Sequence, residues 1–432
     1  MKILFENVDI LLRKEGHYQA LKNAYLATDG KYISYIGKEK PNGIYDLVKD
    51  YSNKLLMPGL VNSHTHTPMV FLRGIGSGLP LENWLNDCIF PAEAKMNAQI
   101  IKISSYYAIL ELLASGVTSF TDMYFFPEET AKAVIESGIK ANLTDYITSF
   151  GKDIKIEDSA INRSLEFFKK YNNAAEGRLK VDFGIHAEYT NVPHIVEAYG
   201  KICKENNGRI HVHISETKKE VDDCKAKYGK TPVKWFEDLG IFDNPVCAAH
   251  IVWPENDDLE IIKKHNATIM HNPSSNMTLG SGFAPINRMS KMGINVSLGT
   301  DGCASNNNLN MFEEMHVCSL TPNGFHLDPT YLSCDDVLDM ATINGAKCQG
   351  RDDTGLLEVG KCADIIAVDM NKIHLYPIFD YPSILVKSAQ GSDVCMTMVD
   401  GKILYEDGEY LTLNKKKIVE DFKTIVNEFN KK

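Results

Sequence analysis

Five things are missing or scarce in this chain of 432 residues, and each closes off a class of function or fold. Cysteine occurs ten times but always singly, with no Cys-x-x-Cys pair. That excludes a zinc ribbon and a disulfide framework and reads as reduced, mostly buried thiols, so any bound metal has to be held by histidine and carboxylate. Basic charge is short, 46 Lys and Arg against 57 Asp and Glu for a formal net charge of −11. Nothing concentrates the positive charge that a nucleic acid or an anionic membrane requires as partner. The one basic cluster, Lys415-Lys416-Lys417, reads as the solvated face of a terminal helix. No apolar run reaches the roughly 18 residues of a membrane-spanning helix. The start, Met1-Lys2-Ile3-Leu4-Phe5-Glu6-Asn7, has an early acid and no small-residue cleavage site, unlike a signal peptide, so a cytoplasmic protein is expected. No Gly-x-Gly-x-x-Gly follows the early strands, which lowers a dinucleotide-binding reading.

What is present is the composition of an ordinary globular protein, 44% hydrophobic and 24% charged, with a length that suggests about two or three domains. Residues 1–56 read as short strands and turns. Helical periodicity then appears at 99–114 (Ile100, Ile101, Ile103, Tyr107, Leu110, Leu113), closed by Ser115-Gly116 and followed by a strand at 117–121. The alternation repeats. Helices at 128–137, 161–171, 194–206, 232–239, 256–265 and 286–292 precede strands at 140–144, 179–185, 209–214, 246–250, 268–271 and 295–298. With the strand before His64, the pattern predicts an α/β fold, a closed (β/α)8 TIM-like barrel over 57–357. From 358 the texture returns to β, with an Asp400-Gly401 hairpin signal. Residues 1–56 and 358–412 are therefore expected to build one small β-sandwich domain from both chain ends, and 413–432 a C-terminal helix.

The chain is organised around Leu56-Met57-Pro58-Gly59-Leu60-Val61-Asn62-Ser63-His64-Thr65-His66. On a strand, residues two apart share a face, so His64 and His66 aim both imidazoles into one space. In a βα barrel the chemistry gathers at the C-terminal strand ends. Those ends carry His186, His211 or His213 with Glu216 beyond, His250, His271 and Asp301. A histidine that ends a strand is commonly a hydrogen-bonded structural residue, and Asp301 alone could be a turn residue. Gathered on six ends, from only 13 histidines, they point to a metal site. Imidazole and carboxylate without thiolate suit one divalent ion, zinc first and iron(II) second. His213 is nearer its strand end than His211 and is the better ligand. Glu216 adds a carboxyl placed for proton transfer.

These residues resemble the amidohydrolase superfamily, and within its aminohydrolase and chlorohydrolase branch the 5′-methylthioadenosine / S-adenosylhomocysteine deaminases. The resemblance rests on the stretch around His64, on His213-Ile214-Ser215-Glu216-Thr217, Ala249-His250, His271-Asn272-Pro273-Ser274-Ser275-Asn276 and Gly299-Thr300-Asp301-Gly302. It implies a hydrolase of cyclic C–N bonds that deaminates an adenine nucleoside at C6, working as a homo-oligomer. It implies one metal on His64, His66, His213 and Asp301. It makes Glu216, His250 and Asp301 catalytic and puts Glu93, His186, Glu216 and Ser305 against the substrate, Glu93 on the ribose hydroxyls. Where family members that take S-adenosylhomocysteine are expected to carry arginine after the third barrel strand, this chain has Asp145, with Arg163 further on. A carboxylate there is expected to repel an anionic tail and favour smaller 5′-substituents. The rivals on the same frame are a triazine chlorohydrolase and a guanine deaminase, for which a ribose-binding Glu93 has no purpose. From another class the rival is a non-catalytic scaffold, which would have shed metal ligands that are all kept here.

Overall fold

The computed structural model describes residues 1–150, 155–156, 160–255 and 257–431. Asn256, at the head of an expected helix, and Lys432, at the end of the last one, lie outside the described residues; the helices seen there are Asp258–Lys264 and Lys415–Phe429.

Eight strands run parallel in chain order: Leu60–His66, Val117–Met123, Lys140–Ile147, Leu179–Ile185, Ile210–Ile214, Val246–His250, Thr268–His271 and Asn295–Leu298. Four are buried at every position, as Val117–Met123 is, and the other four at all but one, because helices cover their outer faces and side chains fill the inside. The covering helices carry one apolar stripe; Ile161–Tyr171 buries Ile161, Ser164 and Phe167. After Leu298 the chain passes Gly299-Thr300 and resumes as Asp301-Gly302, which pairs with Thr65 and His66 of the first strand. The ring is thereby closed, as the alternation predicted. Gly299 is required at the seam: a Cβ there would lie 2.6 Å from Asn272 Oδ1 and 2.7 Å from the His64 amide nitrogen.

The second sheet draws strands from both ends of the chain. Ile365–Asp369 pairs antiparallel with Lys54–Pro58, joining the C-terminal strands to the N-terminal ones. Strand Lys2–Lys14 holds Leu47–Asp50 with its first half and Lys54–Pro58 through Asp9 and Ile10, with bulges between. That switch of partner lets one hydrogen-bonded sheet fold over its own core of Ile3, Phe5, Ile10, Leu26, Ile365 and Met398. The expected hairpin turns at Asp400 (φ 48°) and Gly401 (φ 71°), the two left-handed residues of a type I′ turn.

The two sheets are pinned by a buried ion cluster. Lys140, first residue of its barrel strand, points away from the strand ends that carry the histidines. Its Nζ lies 2.7 Å from Asp364 and 2.6 Å from Asp400. Asp364 also accepts the Asp400 amide at 2.8 Å. Replacing one member strands charge in a dry site. Lys140→Met is predicted to leave two carboxylates facing each other and to cost about 3–5 kcal/mol. Denaturant unfolding measures this, and kcat of the remaining folded protein should stay at the wild-type value.

Candidate metal and substrate site

Four of the expected residues converge at the barrel mouth. The His64 and His66 rings lie 4.9 Å apart at the end of their shared strand, and the His213 ring is 5.0 Å from the first and 5.4 Å from the second. Asp301 turns inward from a left-handed backbone (φ 61°) and sets Oδ1 3.3 Å from His64 Nε2 and 3.1 Å from His66 Nε2. His213 Nε2 stands 3.4 Å from His66 Nε2. Donor atoms of His64, His66 and Asp301 all fall within 4.8 Å of one another, as do those of His64, His213 and His250.

The outer nitrogens fix which way these rings face. His66 Nδ1 lies 2.6 Å from the Met123 carbonyl and His213 Nδ1 2.7 Å from the His186 carbonyl. A carbonyl only accepts, so both Nδ1 atoms carry hydrogen and both Nε2 lone pairs turn into the cluster. His64 Nδ1 is engaged by His211 Nε2 at 2.8 Å, while His64 Nε2 is buried with no hydrogen-bond partner. Converging lone pairs on buried nitrogens repel one another unless a cation lies among them, so the donor set fits a metal. Charge states agree. Burial lowers His64 to about 4, and burial with the neighbouring imidazoles holds His213 and His211 well below the usual range. All three stay neutral, as the ligands His64 and His213 must be. Asp301 stays ionised: burial raises it, but the His64 and His66 contacts outweigh that and hold it well down. For His66 burial lowers, yet Asp301 outweighs it and pushes the ring up to about 9, so this contact selects positive charge.

A cavity opens above the cluster. His66, His213 and Asp301 form its floor with Glu216, His250 and His186, and Glu93 stands in the wall with Tyr124, Tyr146 and Tyr189. Leu81, Trp84, Leu85, Ile89, Phe90 and Leu279 make the rest apolar. Glu216 faces His250 Nε2 at 3.8 Å and accepts from the Ser281 hydroxyl at 3.4 Å; burial pushes it up to about 7. Glu93 is raised by burial and accepts the Tyr124 hydroxyl at 2.6 Å. His186 is lowered to about 3, again by burial.

Three predicted residues sit elsewhere. Ser305 does not line the cavity: it is buried behind Asp301, 3.3 Å from Oδ2, with its hydroxyl 2.9 Å from that of Ser275. Asp145 and Arg163 require a correction. Asp145 is buried outside the cavity lining and accepts Arg163 Nε at 2.6 Å and Nη2 at 2.9 Å. The fork neutralises the carboxylate, so it sets up no repulsion against an anionic tail. Of the other strand-end histidines, His211 backs His64, and His271 is buried with Nδ1 unbonded and is not part of the lining.

Reading the sequence missed the residues that hold the charged ones. Ser275 donates to Asp301 Oδ2 at 2.6 Å, and Asn276 Oδ1 accepts His250 Nδ1 at 2.8 Å. Both ride on the short helix Pro273–Thr278 that starts at the strand end. The run from His271 to Asn276 was visible as a motif, but nothing in one sequence assigns these side chains their partners.

Comparison with known proteins bears on the same architecture. The amidohydrolase family matches residues 55–404. The 5-methylthioadenosine/S-adenosylhomocysteine deaminase of Thermoanaerobacter pseudethanolicus is 41% identical over 420 residues, covering 97% of each chain. The 5′-deoxyadenosine deaminase of Methanosarcina mazei is 41% identical over 426 residues, covering 99% of this chain and 98% of its own. Among solved structures, an adenosine deaminase from Xanthomonas campestris with bound zinc superposes with a TM-score of 0.94 at 28% identity, covering 100% of this chain and 99% of that one. The chain belongs to the amidohydrolase family, in the branch that holds these nucleoside deaminases.

Proposed function

We propose that the protein removes the 6-amino group of an adenine nucleoside by hydrolysis, giving the inosine analogue and ammonia. The substrates meant are 5′-methylthioadenosine, S-adenosylhomocysteine, 5′-deoxyadenosine or adenosine, in the cytoplasm and in a homo-oligomer. The observation that carries this reading is the pairing, in one cavity, of a buried Glu216 raised to about 7 with a metal-fitting cluster beneath it. The relatives named above as deaminases support it, and the zinc of the Xanthomonas structure supports zinc as the ion.

Bound to His64, His66, His213 and Asp301, zinc supplies a Lewis acid that brings the pKa of water toward about 7. The remaining work falls to the chain. Asp301, held ionised, accepts the proton given up by the attacking water. Glu216 keeps its proton near neutral pH and passes it to N1 of the purine, which draws electrons away from C6. His250 has Nδ1 tied to Asn276 and turns Nε2 into the cavity, where it accepts a hydrogen bond from that water. The proton held by Asp301 passes to the amino group, the C6–N bond breaks to release ammonia, and the C6 hydroxyl gives its remaining proton back to Glu216 as the carbonyl forms. Glu93, with one oxygen taken by Tyr124, offers the other to the ribose hydroxyls, and His186 borders the base. The Asp145–Arg163 pair leaves the 5′-substituent unselected by charge.

Glu216→Gln should lower kcat by about 10²–10⁴-fold while the metal content stays at the wild-type level. Metal lost together with activity would instead make Glu216 a ligand. Chelation should abolish ammonia release and added zinc restore it; activity that survives chelation removes the metal from the reaction. Glu93→Ala should raise KM for nucleosides about 10-fold, the loss of a charge-assisted hydrogen bond. An unchanged KM, or activity on guanine or a chlorotriazine alone, reverses the ribose assignment. The ultraviolet change from adenine to hypoxanthine reads nucleoside turnover in all three, with metal analysis beside it for the first and release of ammonia or chloride for the rival substrates.

A further inference from the structure

Glu216 should not face the cavity. His211 and His213 point into the barrel from strand Ile210–Ile214, so strict alternation would turn residue 215 inward and residue 216 outward. The chain breaks the alternation at Ser215, which is buried and left-handed (φ 52°), a conformation a serine rarely holds unaided. What holds it is Glu220, on the first turn of helix Lys218–Tyr228. One of its oxygens accepts the Ser215 amide at 2.6 Å and the other the Glu216 amide at 2.7 Å.

A capping box is present, the Thr217 hydroxyl accepting the Glu220 amide at 3.1 Å, but it does not account for these two bonds. In a capping box the third-position carboxylate answers the amide of the capping residue. Here that residue is Thr217, and its amide is the far one, at 3.4 Å. The two short bonds go to residues before the helix. The Ser215 carbonyl in turn accepts the Val252 and Trp253 amides at 2.9 and 3.0 Å, which ties the same turn to the one that follows His250. Behind Glu220 lies Glu188, also buried; burial and then the Glu220 charge push the Glu188 carboxyl well up, while burial raises Glu220 too but its bonds from the Glu216, Ser215 and Thr217 amides favour its charge.

We propose that Glu220 is a positioning residue for the reaction, its carboxylate holding the left-handed turn that brings the Glu216 carboxyl into the cavity. This rests on the deaminase reading, in which Glu216 moves the proton. The test compares wild type, Glu220→Ala, Glu220→Gln and Thr217→Ala in kcat, KM, metal content and amide exchange over residues 214–217. Glu220→Ala should lose about 10²-fold in kcat, as for a displaced catalytic group, with KM and metal unchanged and faster exchange at the Ser215 and Glu216 amides. Glu220→Gln keeps one accepting oxygen and should fall between. Thr217→Ala removes the capping hydroxyl, so it should lose stability and keep kcat. Equal losses of kcat in Thr217→Ala and Glu220→Ala would mean capping alone and overturn the proposal. So would wild-type kcat in Glu220→Ala, or a loss of metal in step with activity. Should Glu220→Ala fail to fold, Glu220→Gln against Thr217→Ala decides by the same criteria. A wild type inactive on every nucleoside sinks the deaminase reading instead, and amide exchange then still decides whether Glu220 holds the turn.

Discussion

Burying an ionised carboxylate among imidazoles is expensive, and the mouth of this barrel is arranged around having done so at Asp301. An ion removed from water costs several kcal/mol unless charge and hydrogen bonds answer it on all sides. Oδ1 meets His64 and His66 and accepts the Gly302 amide at 2.8 Å; Oδ2 accepts the Ser275 hydroxyl. Each of those partners is fixed from behind. His211 backs His64, the Met123 carbonyl backs His66, and Ser275 rides on a helix that opens directly from the seventh strand. The strand ends thus form one connected set in which few side chains are free to take another rotamer. Such rigidity is what a metal ion and a proton transfer both need, because neither tolerates donors displaced by much.

The opposite end of the barrel is charged for another reason. Lys140, Asp364 and Asp400 lie where the strands begin, and their partners are one another and the backbone. Arg351 nearby spends its guanidinium on the carbonyls of Gly177, Ala141 and Arg178. Both clusters gather charge away from water, but the difference between a fastening and a site is geometric: one pairs its charges with each other, the other keeps ligand nitrogens directed at a common point.

Sequence alone carried the barrel far because its strands are short apolar runs ended by polar residues, a pattern that burial on both faces imposes. The elements it missed lack that signal. Helix Lys218–Tyr228 is charged at most positions and buries only Glu220, Val221 and Cys224, so no apolar stripe marks it. Helix Met311–His326 contains Pro322, which reads as a break. The metal-fitting residues were legible because histidine is rare and its spacing follows the strands. Ser275, Asn276 and Glu220 were not, since serine, asparagine and glutamate are common and their meaning lies in a partner distant in the fold. Asp145 shows the converse. Its charge was plain in the sequence, but Arg163, 18 residues away and forked onto it, cancels that charge.

Closure of the ring and assembly of the site are one event. The eighth strand stops at Leu298, and Asn62 of the first strand bridges the gap, donating to Thr300 Oγ1 at 2.7 Å and accepting the Thr300 amide at 3.0 Å. Gly299 leaves room for the His64 backbone, and only then can Asp301 adopt its left-handed conformation and pair with Thr65. A change that kept the seam open would separate Asp301 from His64 and His66 even with every ligand present. A change that removed the Asp301 side chain would leave the backbone pairing of the seam in place and take away the carboxylate that meets His64 and His66. The first strand is thus both the origin of the ring and its last partner, and the two histidines at its end stand where the ring meets. The placement follows from geometry: only at the seam do residues from opposite ends of the barrel sequence come within reach of one ion.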